Sequence, residues 1–262
     1  MGIKNDSFKL LATGAIALGA LTGLLASATA SAALVTGNAT ITINNPAITG
    51  LAGPGAWIFQ THWGASDSTL AIDGATPGGA DLSIFGNTAL LFPVNTNTTT
   101  QYTASTNRSL QATTMDASNT SAAAGTQIGL NGALRLRAFN GTEFTPGTPY
   151  LAAYDLSLIK TGGEWIVRSY DVGFDYLGLF KLGNVSESLN SNGELQLNGD
   201  LLWAFGPRGW GTYIANPGNP NAIIGSFSLA PSAVPVPAAI WMFGTGVLGL
   251  FGITCRKQAL AV

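Results

Sequence analysis

The sequence predicts a mainly β protein whose exported body is an antiparallel β-sandwich or jelly-roll-like domain. Three observations lead to this fold class. Apolar and polar residues alternate with a period of two in many short segments. Turn-forming Gly, Pro and Asn residues separate these segments, and Gly alone occurs 34 times. Apolar residues recur at helical spacing in few stretches of the body, so strands are expected to be its main elements.

Several parts of the body carry this strand pattern, in order along the chain. Residues 39–43 open it as a first strand. In residues 128–138 the leucines share one face while Arg135 and Arg137 share the other. Residues 154–158 and 165–170 flank the turn Thr161-Gly162-Gly163, which predicts a hairpin. Residues 194–205 and 223–229 complete the predicted strands.

The stretch 93–127 differs in texture from the rest of the body because it is rich in Asn, Thr and Ser. Polar β-branched residues form exposed strands, and a flexible loop has the same composition. We interpret this stretch as a partly ordered excursion from the sandwich. The whole exported domain is expected to span residues 33–229, which is long enough for one sizeable core.

The first 32 residues have the organisation of a secretory signal peptide. Lys4 and Lys9 precede an apolar stretch at 10–26, and small-residue triplets end at Ala30 and Ala32. We therefore expect cleavage beside Ala30 or Ala32 and a mature chain that begins at Ala33. The alternative is an uncleaved N-terminal anchor.

The C-terminal end is predicted to be a membrane anchor. Residues 230–237 form a Pro-rich spacer that disfavours both helix and central strand. The apolar run 238–255 has 18 residues, which as a helix at about 1.5 Å each is just long enough to cross a bilayer core. Arg256 and Lys257 open the basic tail 256–262 and place it on the cytoplasmic side. The body then lies outside, in agreement with the signal peptide.

This C-terminal segment resembles the sorting tail of PEP-CTERM proteins, in the group with the pattern Val-Pro-x-Pro-Ala-Ala-x-Trp-Leu-Phe-Gly-Ser-Gly-Leu-Leu-Gly-Leu before a basic cluster. Met242, Thr245 and Val247 replace Leu, Ser and Leu of the pattern, and Val236 stands where the family's name-giving Glu would be. The residues that carry the resemblance are Val234, Pro235, Val236, Pro237, Ala238, Ala239, Trp241, Phe243, Gly244, Gly246 and Gly249, followed by Arg256 and Lys257.

The resemblance implies a route and a setting for the protein. An exosortase-like membrane protease would cut near Pro235 to Ala238, after export by the Sec machinery. The precursor would be held in the inner membrane with its body on the periplasmic side, and the product would reach the cell surface or the extracellular matrix. Such families are associated with exopolysaccharide and biofilm material. A non-catalytic surface or matrix role is therefore what the resemblance implies.

Charge and cysteine content exclude several other classes. Between residues 33 and 233 there are seven basic and twelve acidic residues, a net charge of −5. Such a body lacks the basic surface that nucleic acid requires, so no nucleic-acid partner is expected. The only cysteine, Cys255, lies in the apolar run, so no disulfide within the chain is possible.

Motifs for catalysis and for cofactor binding are scarce. A hydrolytic triad needs a histidine, and the chain has one, His62, without a Gly-x-Ser-x-Gly motif. We therefore predict no catalytic residues and no cofactor. Asp67, Asp73 and Asp81 in a Gly-rich segment offer oxygen ligands for calcium, but their spacing matches no EF-hand, and turn-forming aspartates are the favoured explanation because they need no ion. No other metal site is predicted.

Two alternatives to a structural role remain open. Aromatic residues cluster at three places, and flat rings beside polar groups bind sugars by stacking. Trp63 and Trp210 are the candidate ligand-binding residues for such a carbohydrate-binding module; an ordinary aromatic core is the competing explanation. A secreted glycan hydrolase would instead need a pair of acids, for which Glu164, Asp171 and Asp175 are available.

Overall fold

The computed structural model describes residues 34–52, 56–65, 79–120, 126–144, 150–171, 175–214 and 219–231. The signal peptide, the sorting tail from Val234 onward, and Asp67 and Asp73 therefore lie outside the described residues. Within the described ranges, no helix is long and apolar enough to span a membrane.

The described chain is mainly antiparallel β, as predicted. It contains two short helices, α1 (Asn45–Ala52) and α2 (Trp210–Ile214). The strands in chain order are β1 (Asn38–Asn44), β2 (Trp57–Trp63), β3 (Ala80–Asp81), β4 (Asn87–Pro93), β5 (Gln101–Thr103), β6 (Arg108–Leu110), β7 (Ile128–Leu130), β8 (Ala133–Ala138), β9 (Tyr150–Ala153), β10 (Leu156–Thr161), β11 (Glu164–Asp171), β12 (Asp175–Leu189), β13 (Leu195–Trp203) and β14 (Gly225–Ala230).

The largest sheet has eight strands in the order β4-β1-β14-β13-β12-β11-β10-β7. It curls until its two edge strands meet: the amide of Asn131 donates to the carbonyl oxygen of Pro93 at 2.9 Å, and that of Asn95 donates to Gly129 at 2.8 Å. An open two-sheet sandwich would leave these edges apart. The sheet is therefore nearly closed on itself, an arrangement that leaves few unpaired backbone groups at its edges.

A second sheet of four strands, in the order β3-β2-β8-β9, packs against the first. The ring of Phe59 in β2 stacks on Trp203 in β13 with 5.6 Å between centroids and lies 5.6 Å from Phe180 in β12. Both sheets contribute to one continuous apolar core. Aromatic pairs of this kind add about 0.5–1.5 kcal/mol to the free energy gained by burial alone.

Strand register follows the alternation read from the sequence. The predicted hairpin is formed by β10 and β11, which pair Thr161 with Glu164 around a two-residue turn. Both turn residues, Gly162 and Gly163, have positive φ angles, which glycine adopts without steric cost. Elsewhere, Gly225 lets β14 approach β1 closely, since a Cβ atom there would lie 1.9 Å from the carbonyl oxygen of Thr42.

The Asn- and Thr-rich excursion is largely ordered where the structure describes it. Strands β5 and β6 form a hairpin, and Asp155, at the start of β10, anchors that hairpin through a buried ion pair. The Nε of Arg108 donates to Asp155 at 2.9 Å, and the amide of Ser109 donates to the other carboxylate oxygen at 2.5 Å. The excursion thus packs on the outer face of the sheet around β7, β10 and β11.

Candidate functional site

An open cleft lies on the outer face of the eight-stranded sheet. Its volume is about 320 Å³, near the lower limit of about 300–1,000 Å³ found for small-molecule sites. Strands β10, β11 and β12 form the floor, and the loop that follows β13 forms one wall. The lining residues are Ile159, Ile166, Arg168, Tyr176, Gly178 and Ala204, together with the loop residues Phe205, Gly206, Pro207, Arg208 and Gly209.

Alternation along the strands positions the residues of the floor. Trp165 and Val167 of β11 point into the core and are buried, so Ile166 and Arg168 point outward into the cleft. On β12, Gly178 pairs with Arg168 beside a bulge in the register. The amide of Gly178 donates to the carbonyl oxygen of Arg208 at 2.8 Å, which fixes the wall loop to the floor.

Arg168 is held at the centre of a polar network. Its Nε donates to Ser157 at 3.0 Å and its Nη2 donates to Gln127 at 2.7 Å. The guanidinium carbon lies 3.5 Å from the ring centroid of Tyr176, which is a cation–π contact. The hydroxyl of Tyr176 donates to Gln111 at 2.8 Å. Through Gln111 and Gln127, this network joins the excursion to the floor of the cleft.

Burial perturbs both titratable groups of this pair. Desolvation lowers the pKa of Arg168 from its ordinary value, although Tyr176 and Asp175 partly oppose the effect. Desolvation raises the pKa of Tyr176, and Tyr170 and Asp175 raise it further while the positive charge of Arg168 lowers it. At neutral pH the site therefore presents a charged guanidinium beside a neutral phenol.

Arg208 lies at the rim of the cleft and pairs with Asp175 beside it. The Nη1 of Arg208 lies 2.9 Å from a carboxylate oxygen of Asp175, and both side chains are exposed. An exposed pair of this type contributes little to stability, so both groups remain available for a ligand. Phe205 adds a partly buried aromatic surface to the wall.

The two tryptophans predicted to bind sugar are both buried. Trp63 is 0 % exposed and lies beneath the guanidinium of Arg135, 5.0 Å from the ring centroid. Trp210 is 6 % exposed and belongs to the apolar core. Neither indole offers a free face for stacking in this structure. The core explanation therefore fits these two residues better, because each ring fills space between packed elements.

The predicted oxygen ligands for calcium are only partly within the described residues. Asp81 is exposed on β3 and accepts a hydrogen bond from the hydroxyl of Thr61 at 3.2 Å. Asp67 and Asp73 lie outside the described part of the chain. Among the residues that the structure describes, no group of three or more His, Cys, Asp or Glu side chains is close enough together to hold a metal ion.

The acids considered for a glycan hydrolase are spread along the sheet. Glu164 begins β11 and forms an ion pair with Lys181, whereas Asp171 ends the same strand and is opposite Asp175 in the register. Seven residues of extended strand separate Glu164 from Asp171 by about 23 Å. The two carboxyls of a glycosidase lie within about 10 Å of each other. Glu164 therefore lies too far from Asp171 and Asp175 to form a glycosidase acid pair with either of them.

A second polar cluster surrounds Glu187 near the far end of β12. Lys160 donates to its carboxylate at 2.7 Å, Trp165 donates through its indole N–H at 3.0 Å, and Thr120 donates as well. Burial raises the pKa of Glu187, but these hydrogen bonds together outweigh it, so its pKa lies below the ordinary value. The cluster fastens the end of the excursion to the sheet and is structural.

Sequence reasoning did not single out the cleft or the pair Arg168 and Tyr176. One usable signal was the alternation in β11, which places Arg168 between Ile166 and Tyr170 on the outer face. The single histidine, His62, is half-buried, and its ring centroid lies 4.8 Å from that of Phe92 in an edge-to-face arrangement. Comparison of the chain with protein families, with curated proteins and with solved structures found no match.

Proposed function

We propose that this chain is an exported surface or extracellular-matrix protein, non-catalytic, which an exosortase-like membrane protease sorts and cleaves. The observation that carries the proposal is the order of its segments. A signal peptide at 1–32 precedes the β-rich body, and the Pro-rich spacer 230–237, the apolar run 238–255 and the pair Arg256-Lys257 follow it. Sec-dependent export would deliver the body across the inner membrane, and cleavage would release it toward the cell surface and its exopolysaccharide.

The position of the spacer supports this route. The last strand, β14, ends at Ala230, where the spacer begins. β14 lies between β1 and β13 inside the eight-stranded sheet, so its pairing is complete before the predicted cut site. Cleavage near Pro235 to Ala238 would therefore remove the anchor without removing any residue of the sheet.

The test is the intact mass of the membrane-bound and released forms, taken from the natural host. We expect a released form that runs from about Ala33 to the region of Pro235. A protein that is found only in membranes and still carries residues 241–262 would contradict the proposal. It would identify a permanently anchored surface protein instead.

A second candidate function is carbohydrate binding, and the cleft is the observation that favours it. The cleft combines the apolar surface of Ile159, Ile166 and Phe205 with the guanidinium of Arg168, and sugar rings need both an apolar face and polar partners. A glycan array probed with the released protein tests this candidate. Binding to no glycan would leave the structural matrix role alone.

A further inference from the structure

Among the side chains that the structure describes, Arg168 differs from the basic groups around it in having no carboxylate within ion-pair distance. Arg108, Lys160, Lys181 and Arg208 each form an ion pair, with separations between 2.5 and 2.9 Å. The two hydrogen bonds of Arg168 instead go to neutral oxygens of Ser157 and Gln127. Within the described chain, its third nitrogen, Nη1, has no acceptor.

A half-buried guanidinium that lacks a directly paired carboxylate is energetically costly, and the nearby charge of Asp175 offsets only part of that cost. Burial removes water that would stabilise the charge, and neutral hydrogen-bond acceptors replace only part of that stabilisation. The same loss of water lowers the pKa of Arg168. An anion that enters the cleft would supply the missing partner. A negatively charged ligand would therefore lower the free energy of the buried guanidinium.

The charge balance of the cleft points the same way. Of the residues that line the cleft, Arg168 and Arg208 are charged and both are positive, while Asp175 beside the cleft pairs with Arg208. The body as a whole carries −5 between residues 33 and 233. A positive cleft on a negative body attracts an anionic group to one place on the surface, whereas the rest of the body repels it.

We propose that this cleft binds a carboxylate-bearing sugar unit of an acidic polysaccharide. The carboxylate pairs with Arg168 through Nη1, and Arg208 at the rim adds a second guanidinium. The apolar face of the ring lies against Phe205 and the isoleucines of the floor. The cleft is open to solvent, which leaves room for the polymer to continue beyond the bound unit. This inference rests on the carbohydrate-binding candidate and names its ligand.

The test measures binding of fluorescently labelled tetragalacturonate to the full-length protein by fluorescence anisotropy. A fully methyl-esterified tetragalacturonate is the matched ligand, because it has the same rings without the charge. We expect the ester to bind at least about tenfold more weakly, since a charge-assisted pair would be lost. Equal binding of the two ligands would overturn recognition of the carboxylate and leave the carbohydrate-binding candidate standing. If neither binds, the acidic-sugar proposal is overturned, and the glycan array decides the carbohydrate-binding candidate.

Variants then locate the site. Arg168→Gln keeps hydrogen-bonding capacity but removes the charge, and we expect an affinity loss of about tenfold or more. Lys181→Gln removes an equal charge from β12 outside the cleft, and its affinity should stay within about twofold of the native value because an exposed charge is screened. Equal effects of the two substitutions would overturn the assignment of the site.

Two further measurements keep the test decisive. Arg208→Gln changes an exposed rim residue whose ion pair contributes little to stability, so this variant should fold. We expect it to bind about threefold more weakly. This measurement tests the site even if Arg168→Gln is unstable. No loss in Arg208→Gln would contradict its role at the rim. A labelled pentaglutamate peptide is the competing ligand class. Binding as tight as that of tetragalacturonate would overturn recognition of the sugar.

Discussion

The buried ion pair between Arg108 and Asp155 is expected to be a principal attachment of the excursion to the sheet. The two side chains are 2 % and 0 % exposed. One oxygen of Asp155 faces both Nε and Nη2 of Arg108 at 2.9 Å, and the other accepts the amide of Ser109. The substitution Asp155→Asn keeps the shape of the side chain and the positive φ angle of 51° but removes the charge.

The magnitude follows from what remains after this substitution. Arg108 would lose its carboxylate partner while it stays buried, and removal of one partner of a buried pair costs about 3–5 kcal/mol. The asparagine oxygen still accepts one hydrogen bond, so we expect a loss near about 3 kcal/mol in the free energy of unfolding. Since a domain is stable by about 5–15 kcal/mol in total, this loss is readily measured.

The assay is urea unfolding of the purified protein, followed by tryptophan fluorescence. Asp175→Asn is a matched control, because Asp175 also has a positive φ angle and also pairs with an arginine, but its side chain is 58 % exposed. We expect that control to lose less than about 1 kcal/mol. The double variant Arg108→Met with Asp155→Asn should be more stable than Asp155→Asn alone, because no buried charge is left unpaired. Equal losses for Asp155→Asn and Asp175→Asn would refute the reasoning.

Three further predictions follow from the structure and the sequence. Gly225→Ala should lose about 3 kcal/mol of unfolding free energy because the added Cβ would contact the backbone of β1. Gly50→Ala, where the added Cβ would meet open space in α1, should gain up to about 1 kcal/mol. Urea unfolding compares the two variants, and equal effects would contradict the packing argument. Because the pKa of Glu187 is lowered on folding, its carboxylate stabilises the fold at pH values above its ordinary pKa of 4.5. That stability is lost as the pH falls through the folded pKa, so Glu187→Gln should flatten the dependence of Tm on pH in acid. An unchanged slope would be contrary evidence. Neutral residues at Arg256 and Lys257 should impair membrane retention and maturation, which cell fractionation and mass measurement report; unchanged behaviour of both would count against the sorting proposal.

Sequence patterning predicted the strands that have one apolar and one polar face. β1, β13 and β14 were found this way, as was the hairpin of β10 and β11 with its two-glycine turn. The predicted segment 128–138 contains two strands, but β7 joins the larger sheet and β8 the smaller one. Alternation gives the faces of a strand, and it does not reveal which sheet the strand joins.

The 15-residue strand β12 had no corresponding prediction, and its sequence shows why. Leu179 and Phe180 are adjacent and both buried, because a bulge opposite Val167 and Arg168 shifts the register. The bulge breaks the alternation on which the prediction depends. The same irregularity places Gly178 opposite Arg168 and opens the floor of the cleft. The bulge that shapes the cleft therefore also prevents the alternation pattern from predicting β12.

The position of the cleft within the sheet fits an anchored precursor as well as a released product. The two ends of the described body lie side by side, since Asn38 of β1 pairs with Ala230 of β14. Leu229 of β14 pairs with Leu197 of β13, which in turn pairs with Glu187 of β12. These three residues therefore lie at the same end of the sheet. Two bulges in β12 lie between Gly178 and Glu187, so the register separates them by seven residue steps, or about 23 Å along the sheet. The chain thus enters β1 and leaves β14 at one end of the sheet, while the cleft opens nearer the other end. A body still attached to the membrane would present the cleft away from the attachment point, so binding does not have to wait for cleavage.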